Sequence, residues 1–323
     1  MPDLKVVKGK KPEALDRLVD DYLADCAARG LSPKTIRMSY GYPLQQVFLP
    51  WAAAEGIRQP EQLTTGLLNR LSTTLQSTGG RRGELSRATV WTYMKAIKRF
   101  LDWANDPKGG ALKIEATANV PKLPKRPELD ILSREEIERI EGAADNHRDT
   151  LIVRLLADTG IRVGELVGLR VSDLVESGRE HYIRVRGKTG SRQVPITPAM
   201  SRRLRQYIER IRQSDTSSER IFVSRRRSVR TGDYEPLTES GVQQLVRDLA
   251  EKAGIKKRVH PHLFRHSAAT FMLQRGMDSV LVAQILGHSS LVMIQRVYQH
   301  LSDSDRHQAL IAVLRDDTDL RRR

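Results

Sequence analysis

From Pro12 onward the apolar positions recur at helical spacing, with Leu15, Leu18, Val19, Tyr22 and Leu23 on one face. Gly30 ends that run. Ser32-Pro33 restarts it, a capping serine followed by the residue whose fixed φ suits the first helical position. The second helix carries Ile36, Tyr40, Val47, Phe48 and Trp51, and Pro43 within it predicts a kink or an interruption. A third helix is expected over 61–77, broken by Gly79-Gly80-Arg81-Arg82-Gly83. Ser86 caps a fourth, whose apolar side is Val90, Tyr93, Ile97, Phe100, Leu101 and Trp103. These helices predict a small all-α domain.

Between 106 and 126 the periodicity fails, and prolines, glycines and lysines predict an extended basic linker. Ser133-Arg134-Glu135-Glu136 then has the form of a capping box ahead of Ile137 and Ile140. Helices are expected at 148–158 and 163–169. Alternating residues at 181–186 and 192–197 flank Gly187-Lys188-Thr189-Gly190-Ser191 and predict a β-hairpin. Further helices are expected at 199–212, 239–253, 262–274, 279–286, 291–298 and 304–314. The pattern divides the chain into a basic tail (1–11), a helical domain (12–106), a linker (107–131), a second, mixed domain (132–302) and a C-terminal helix and tail (303–323). The fold class is mainly α with a small β-hairpin or sheet: an all-α domain followed by an α/β domain.

Composition narrows the partner. The 323 residues carry 55 Lys and Arg against 39 Asp and Glu, a formal charge of +16, and the excess is shared by both halves of the chain. Such a surface suits a polyanion, with nucleic acid foremost, and a clamp with two basic faces suits the distribution. The single cysteine, Cys26, excludes an internal disulfide framework and a cysteine-based zinc site. The longest apolar stretches, such as 280–286, are far too short for a membrane span, and the charged N-terminus lacks the apolar core of a signal peptide. A cytoplasmic protein is expected, with no membrane partner.

The second domain holds groups suited to one tetrahedral anion. Arg162 opens a helix, where free N–H groups already favour phosphate. Lys188 sits in the hairpin turn, and His262 and Arg265, three residues apart, share a helix face. His288 follows Leu286-Gly287 at a helix end, and Tyr298 lies further on. Guanidinium forks, a lysine, imidazoles and a phenol together can stabilise, protonate and attack a phosphodiester. Each is weak alone: His262 also suits a helix cap, and Tyr298 also suits packing. His260, His262 and His266 lack the glutamate of a zinc-binding helix, so no metal is expected.

In order and surroundings these residues resemble the tyrosine recombinase (phage integrase) family. Thr159-Gly160-Ile161-Arg162-Val163-Gly164-Glu165-Leu166 is similar to its first signature box, Gly187-Lys188-Thr189-Gly190 to its hairpin lysine, and Pro261-His262-Leu263-Phe264-Arg265-His266-Ser267-Ala268-Ala269-Thr270 to its second box. Leu286-Gly287-His288-Ser289-Ser290 and Tyr298-Gln299-His300 resemble the third. The resemblance implies a C-shaped DNA clamp of the compact form, without an arm-binding domain, acting on double-stranded attachment sites. It implies that Tyr298 attacks the scissile phosphate, giving a 3′-phosphotyrosyl link. Arg162 and Arg265 then hold the non-bridging oxygens, Lys188 protonates the 5′-oxygen, His262 assists proton transfer, His288 binds the phosphate and Glu165 supports the site. No cofactor is implied, since the covalent link conserves the phosphodiester energy. The implied assembly is a monomer when free and a homotetramer in synapsis, its C-terminal helix docking on a neighbouring protomer. Further DNA contacts are expected from Arg81, Arg82, Lys95, Lys98, Lys122, Lys125, Arg126, Arg225, Arg226 and Arg227. The expected biology is a phage or mobile-element integrase in a bacterial host cell, with a Xer-like resolvase second and a catalytically silent DNA-binding regulator as the reading of another class. A type IB topoisomerase shares the chemistry.

Overall fold

The computed structural model describes residues 14–77, 84–123, 130–187 and 190–287, and the chain divides into two units, 1–126 and 127–323.

In the first unit, helix α1 (Ala14–Ala28) buries Leu15, Val19 and Tyr22 of the expected stripe together with Cys26, while Leu18 and Leu23 are half-buried beside them. A helical run over 33–54, α2, begins where Ser32 accepts a hydrogen bond from the Thr35 N–H (3.2 Å). Pro43 does not interrupt it. The run instead widens into π-type turns at Ile36–Gly41 and Leu44–Phe48, with the Tyr42 N–H donating to the Arg37 carbonyl and that of Leu49 to Leu44. A proline ring clashes with the carbonyl four residues back in an α-helix, and a wider turn relieves that clash while the stripe Tyr40, Leu44, Phe48, Ala52 stays buried. Helix α3 (Thr65–Ser77) starts four residues later than the sequence suggests, because Pro60–Gln62 forms a separate 3-10 turn. Helix α4 (Arg87–Asn105) is capped by Ser86 and buries Val90, Met94, Ile97, Phe100 and Leu101. Tyr22 meets Tyr40 and Phe100 edge-on at 5.8 and 5.7 Å. Each such ring contributes about 2–3 kcal/mol through its burial.

The stretch read as a linker is partly fastened to this unit. Residues 111–120 form neither helix nor strand, with Ile114, Ala116 and Ala118 buried and the intervening side chains exposed. Asn105 holds Ile114 by two hydrogen bonds (2.7 and 2.9 Å), and the Thr117 N–H donates to Thr65 Oγ1 (3.0 Å). The alternation is built largely from alanines, whose weak hydrophobic signal hides it in the sequence.

The second unit opens with α5 (Arg134–Gly142), capped reciprocally by Ser133 and Glu136. Helix α6 (His147–Thr159) buries Leu151, Ile152, Val153, Leu155 and Leu156, and packs against α5 and α10 (Pro261–Gln274). Between them lie α7 (Val163–Gly168) and strands β1 (Leu174–Ser177), β2 (Glu180–Gly187) and β3 (Gly190–Pro195). Among the described residues these strands form an antiparallel sheet in the order β1-β2-β3, with Val185 opposite Arg192. Helix α8 (Pro198–Gln206) continues into a π turn at Tyr207–Ile211, whose Tyr207 stacks on Phe222 at 5.8 Å. Helices α9 (Glu239–Lys252) and α11 (Ser279–Leu286) complete the described part. Among the described residues no helix is long and apolar enough to cross a membrane.

Candidate active site

Three pieces of backbone meet where the sequence placed its anion site: the α6–α7 turn, the middle of α10 and the end of α11. Helix α6 closes at Gly160, left-handed with φ of 60°, and Arg162 takes the cap position of α7 two residues on. The Arg162 N–H donates to Glu165 Oε2 (2.8 Å) and its Nη1 to Glu165 Oε1 (3.0 Å). Glu165 is only 2% exposed. It also accepts both terminal nitrogens of Arg192, at 2.6 and 3.0 Å. A carboxylate so buried persists only when fully paired. Burial acts to raise its pKa, but the hydrogen bonds and charges of Arg192 and Arg162 outweigh that, and the net shift is downward.

Arg265, on α10, is buried; its Nη1 donates to the Gly160 carbonyl (2.7 Å) and its Nη2 to that of Leu286 (2.5 Å). Burial and the neighbouring Arg162 and Arg192 push its pKa down to about 10, which leaves it charged at neutral pH. Arg162 Nη2 donates to the next carbonyl along, Gly287 (2.6 Å). Two arginines far apart in sequence therefore meet at adjacent carbonyls at the negative end of α11. His262, one turn before Arg265, is exposed at the rim. Loss of water around its ring, then the charges of Arg265 and Arg162, hold its pKa below the ordinary histidine range, with Glu239 opposing. The neutral imidazole can accept a proton. The cap of α10 is His260, whose Nδ1 accepts from the Leu263 N–H (3.2 Å). Pro261 takes the first helical position, which leaves the residue before it to cap.

The structure thus brings Arg162, Glu165, His262 and Arg265 together. Lys188, His288 and Tyr298 lie outside the described residues, although β2 runs up to Gly187 and α11 is capped by Gly287. Arg192 is the residue that sequence reasoning misses. It shares the inward face of β3 with buried Val194, and a charge on the apolar side of an alternating strand is the signal that could have found it. Among the DNA-contact candidates, Lys95 lies over the Trp91 ring at 4.3 Å and Lys98 pairs with Asp102 at 3.2 Å. Lys122, Arg225 and Arg226 are exposed, and Arg227 is already paired with Asp215. Arg81, Arg82, Lys125 and Arg126 lie outside the described residues. Among the described residues no group of three or more His, Cys, Asp and Glu is placed to hold a metal.

One carboxylate among three guanidiniums leaves the cluster positive, ready to hold an oxyanion and the charge that develops on it. Because the Glu165 carboxyl titrates lower in the folded chain than in the unfolded one, it contributes stability above the ordinary range near ~4.3. That contribution is lost as pH falls through the folded value. Glu165→Gln is therefore expected to lower the unfolding free energy at pH 7 by about 2 kcal/mol. The gap to the wild type should close as the solution is acidified, in urea melts over a pH series; a gap unchanged into acid would contradict the pairing.

A helical unit is thus followed by an α/β unit that gathers Arg162, Arg192 and Arg265 around one buried carboxylate. Residues 130–305, more than half of the chain, match the Phage integrase family. The tyrosine recombinase XerA of Thermococcus onnurineus is 31% identical over 88% of this chain and 90% of its own. The structure of the XerH site-specific recombinase bound to its difH substrate superposes with a TM-score of 0.70, at 20% identity, over 94% of this chain and 97% of that one. A lambda integrase tetramer bound to a Holliday junction gives 0.65, at 21% identity, over 85% and 77%. The chain belongs to the phage integrase family and is a site-specific tyrosine recombinase, transferring DNA strands through a phosphotyrosyl intermediate.

Proposed function

We propose that the site at the α7–α10–α11 junction is the strand-cleavage centre and that Tyr298 is its nucleophile. The observation that carries this is the convergence of Arg162 and Arg265 on the carbonyls of Gly287 and Leu286. A scissile phosphate, bearing a full charge, competes for these guanidiniums with two partial ones. The Tyr298 oxygen bonds to phosphorus, the bond from phosphorus to the 5′-oxygen breaks, and Lys188 supplies the proton that makes the 5′-hydroxyl. His262, neutral at pH 7, takes the phenolic proton. Arg162 and Arg265 hold the non-bridging oxygens with His288, and Glu165 fixes Arg162. No step calls for a metal or a nucleotide.

The protein acts in this reading on paired double-stranded sites as a tetramer, a state supported by the lambda integrase assembly. The near end-to-end match with XerA favours a Xer-type resolving role over the mobile-element integrase expected from the sequence. In this reading catalysis lies in 132–302. Covalent trapping tests the proposal. The chain is incubated in EDTA with a plasmid library covering the source genome, quenched with SDS, and run on gels with and without protease. The expected result is a protease-sensitive adduct on a small set of plasmids. Binding without any adduct would replace the proposal with a DNA-binding regulator of the same fold.

A further inference from the structure

The geometry points to Arg192 as a positioning residue for strand cleavage: it locks Glu165, and through it Arg162, to the end of α11, where the chain passes on to His288. This rests on the cleavage-centre reading above and adds to it a residue outside the signature boxes.

Every nitrogen of the Arg192 guanidinium is engaged. Nη1 and Nη2 grip the two oxygens of Glu165, and Nε donates to the Ile285 carbonyl at 2.8 Å. All three of these hydrogen bonds go to protein partners, so the contacts of Arg192 bear on Glu165 and on α11. The carbonyls of Ile285, Leu286 and Gly287 are consecutive, and they accept in turn from Arg192, Arg265 and Arg162. These are the carbonyls that a helix end leaves without partners. The three guanidiniums therefore hold the last turn of α11 as one edge, and two of them, Arg162 and Arg192, also tie it to Glu165, Arg192 through a two-pronged fork.

Two glycines mark how closely the parts fit. Gly287 adopts φ of 66°, and a Cβ there would lie 2.7 Å from Arg192 Nη1. Gly187, which precedes Lys188, is nearly as close: a Cβ there would lie 3.0 Å from Glu165 Oε1. The Arg192–Glu165 pair thus fills the space between the end of β2 and the end of α11, the two points from which the chain continues into Lys188 and His288. The pair is a fork on a carboxylate, a geometry that fixes direction as well as distance. A lysine keeps the charge but loses the fork.

The test uses the full-length chain and the plasmid on which the wild type forms its adduct. Affinity for that plasmid and the single-turnover rate of adduct formation at saturating protein are measured for wild type, Arg192→Gln and Arg192→Lys, with thermal melts alongside. Misplacing a reacting group by about 1 Å costs on the order of a hundredfold, so Arg192→Gln is expected to cleave about 100-fold more slowly. Its affinity should stay within about threefold of wild type, and Arg192→Lys should recover part of the rate. The acid limb of the Gln variant's pH–rate profile should also move up, because Glu165 loses the cation that keeps it ionised. Wild-type cleavage by Arg192→Gln would overturn the inference alone. So would loss of rate and affinity together with loss of cooperative melting in both variants, which is the behaviour of a purely structural ion pair. A wild type that forms no adduct anywhere in the genome library would overturn the cleavage-centre reading, and this inference with it.

Discussion

Tyr298→Phe is expected to bind site DNA with wild-type affinity and to form no covalent adduct. Phenylalanine keeps the ring and removes only the oxygen that the proposal has bonding to phosphorus, so the loss is one of chemistry rather than of contact. A phenol with a pKa near ~10 is about one part in a thousand ionised at pH 7 and is a poor nucleophile unaided. In the proposed centre the help comes from a neutral His262, which takes the proton, and from Arg162 and Arg265, which hold the charge that builds on the phosphate. None of these can supply an oxygen that is missing. The expected fall in adduct is to background, more than about 10⁴-fold, read by SDS gel on a plasmid that the wild type attacks, with filter binding for affinity. An adduct in this variant would move the nucleophile elsewhere and leave the arginine cluster without its assigned partner.

Much of this site is legible in the sequence because its parts sit at helix ends. Arg162 and Glu165 are three apart at a cap, and His262 and Arg265 are three apart behind Pro261; these spacings fix one face of one turn. What the spacing cannot say is who pairs with whom. Arg192 is one of 55 Lys and Arg in the chain, and its place on the inward face of β3, beside buried Val194, is what marks it. The first unit repeats the lesson. The stripes of α1 and α4 are strong enough to read directly, whereas 111–120 packs largely on alanines. In the second unit β1 is four residues long and only half-buried, too short for its alternation to stand out. Pro43 misleads for another reason: the rule that proline breaks a helix assumes α-type hydrogen bonds, and α2 widens to π-type turns around it.

Arg265→Lys is expected to lose both rate and stability, and the geometry says why the two go together. The Arg265 guanidinium spends two of its five N–H donors on the Gly160 and Leu286 carbonyls. By that pairing it joins the end of α6 to the end of α11. Gly160 sits close against α10 and Leu286: a Cβ there would lie 2.6 Å from Leu286 Cδ2 and 3.1 Å from Ala268 Cβ. An ammonium on a flexible stem cannot span both carbonyls and also face a phosphate. At least one buried carbonyl then goes unpaired, at about 1–3 kcal/mol, so the melting midpoint should fall. The rate should fall further. Losing one preorganised donor to the developing oxyanion costs about 3 kcal/mol, or roughly a hundredfold, and the Arg162 edge of the site loosens with it. Single-turnover cleavage at a temperature where both proteins are folded separates the two effects. A variant that melts lower yet cleaves at the wild-type rate would confine Arg265 to a bracing role and leave Arg162 to hold the phosphate alone.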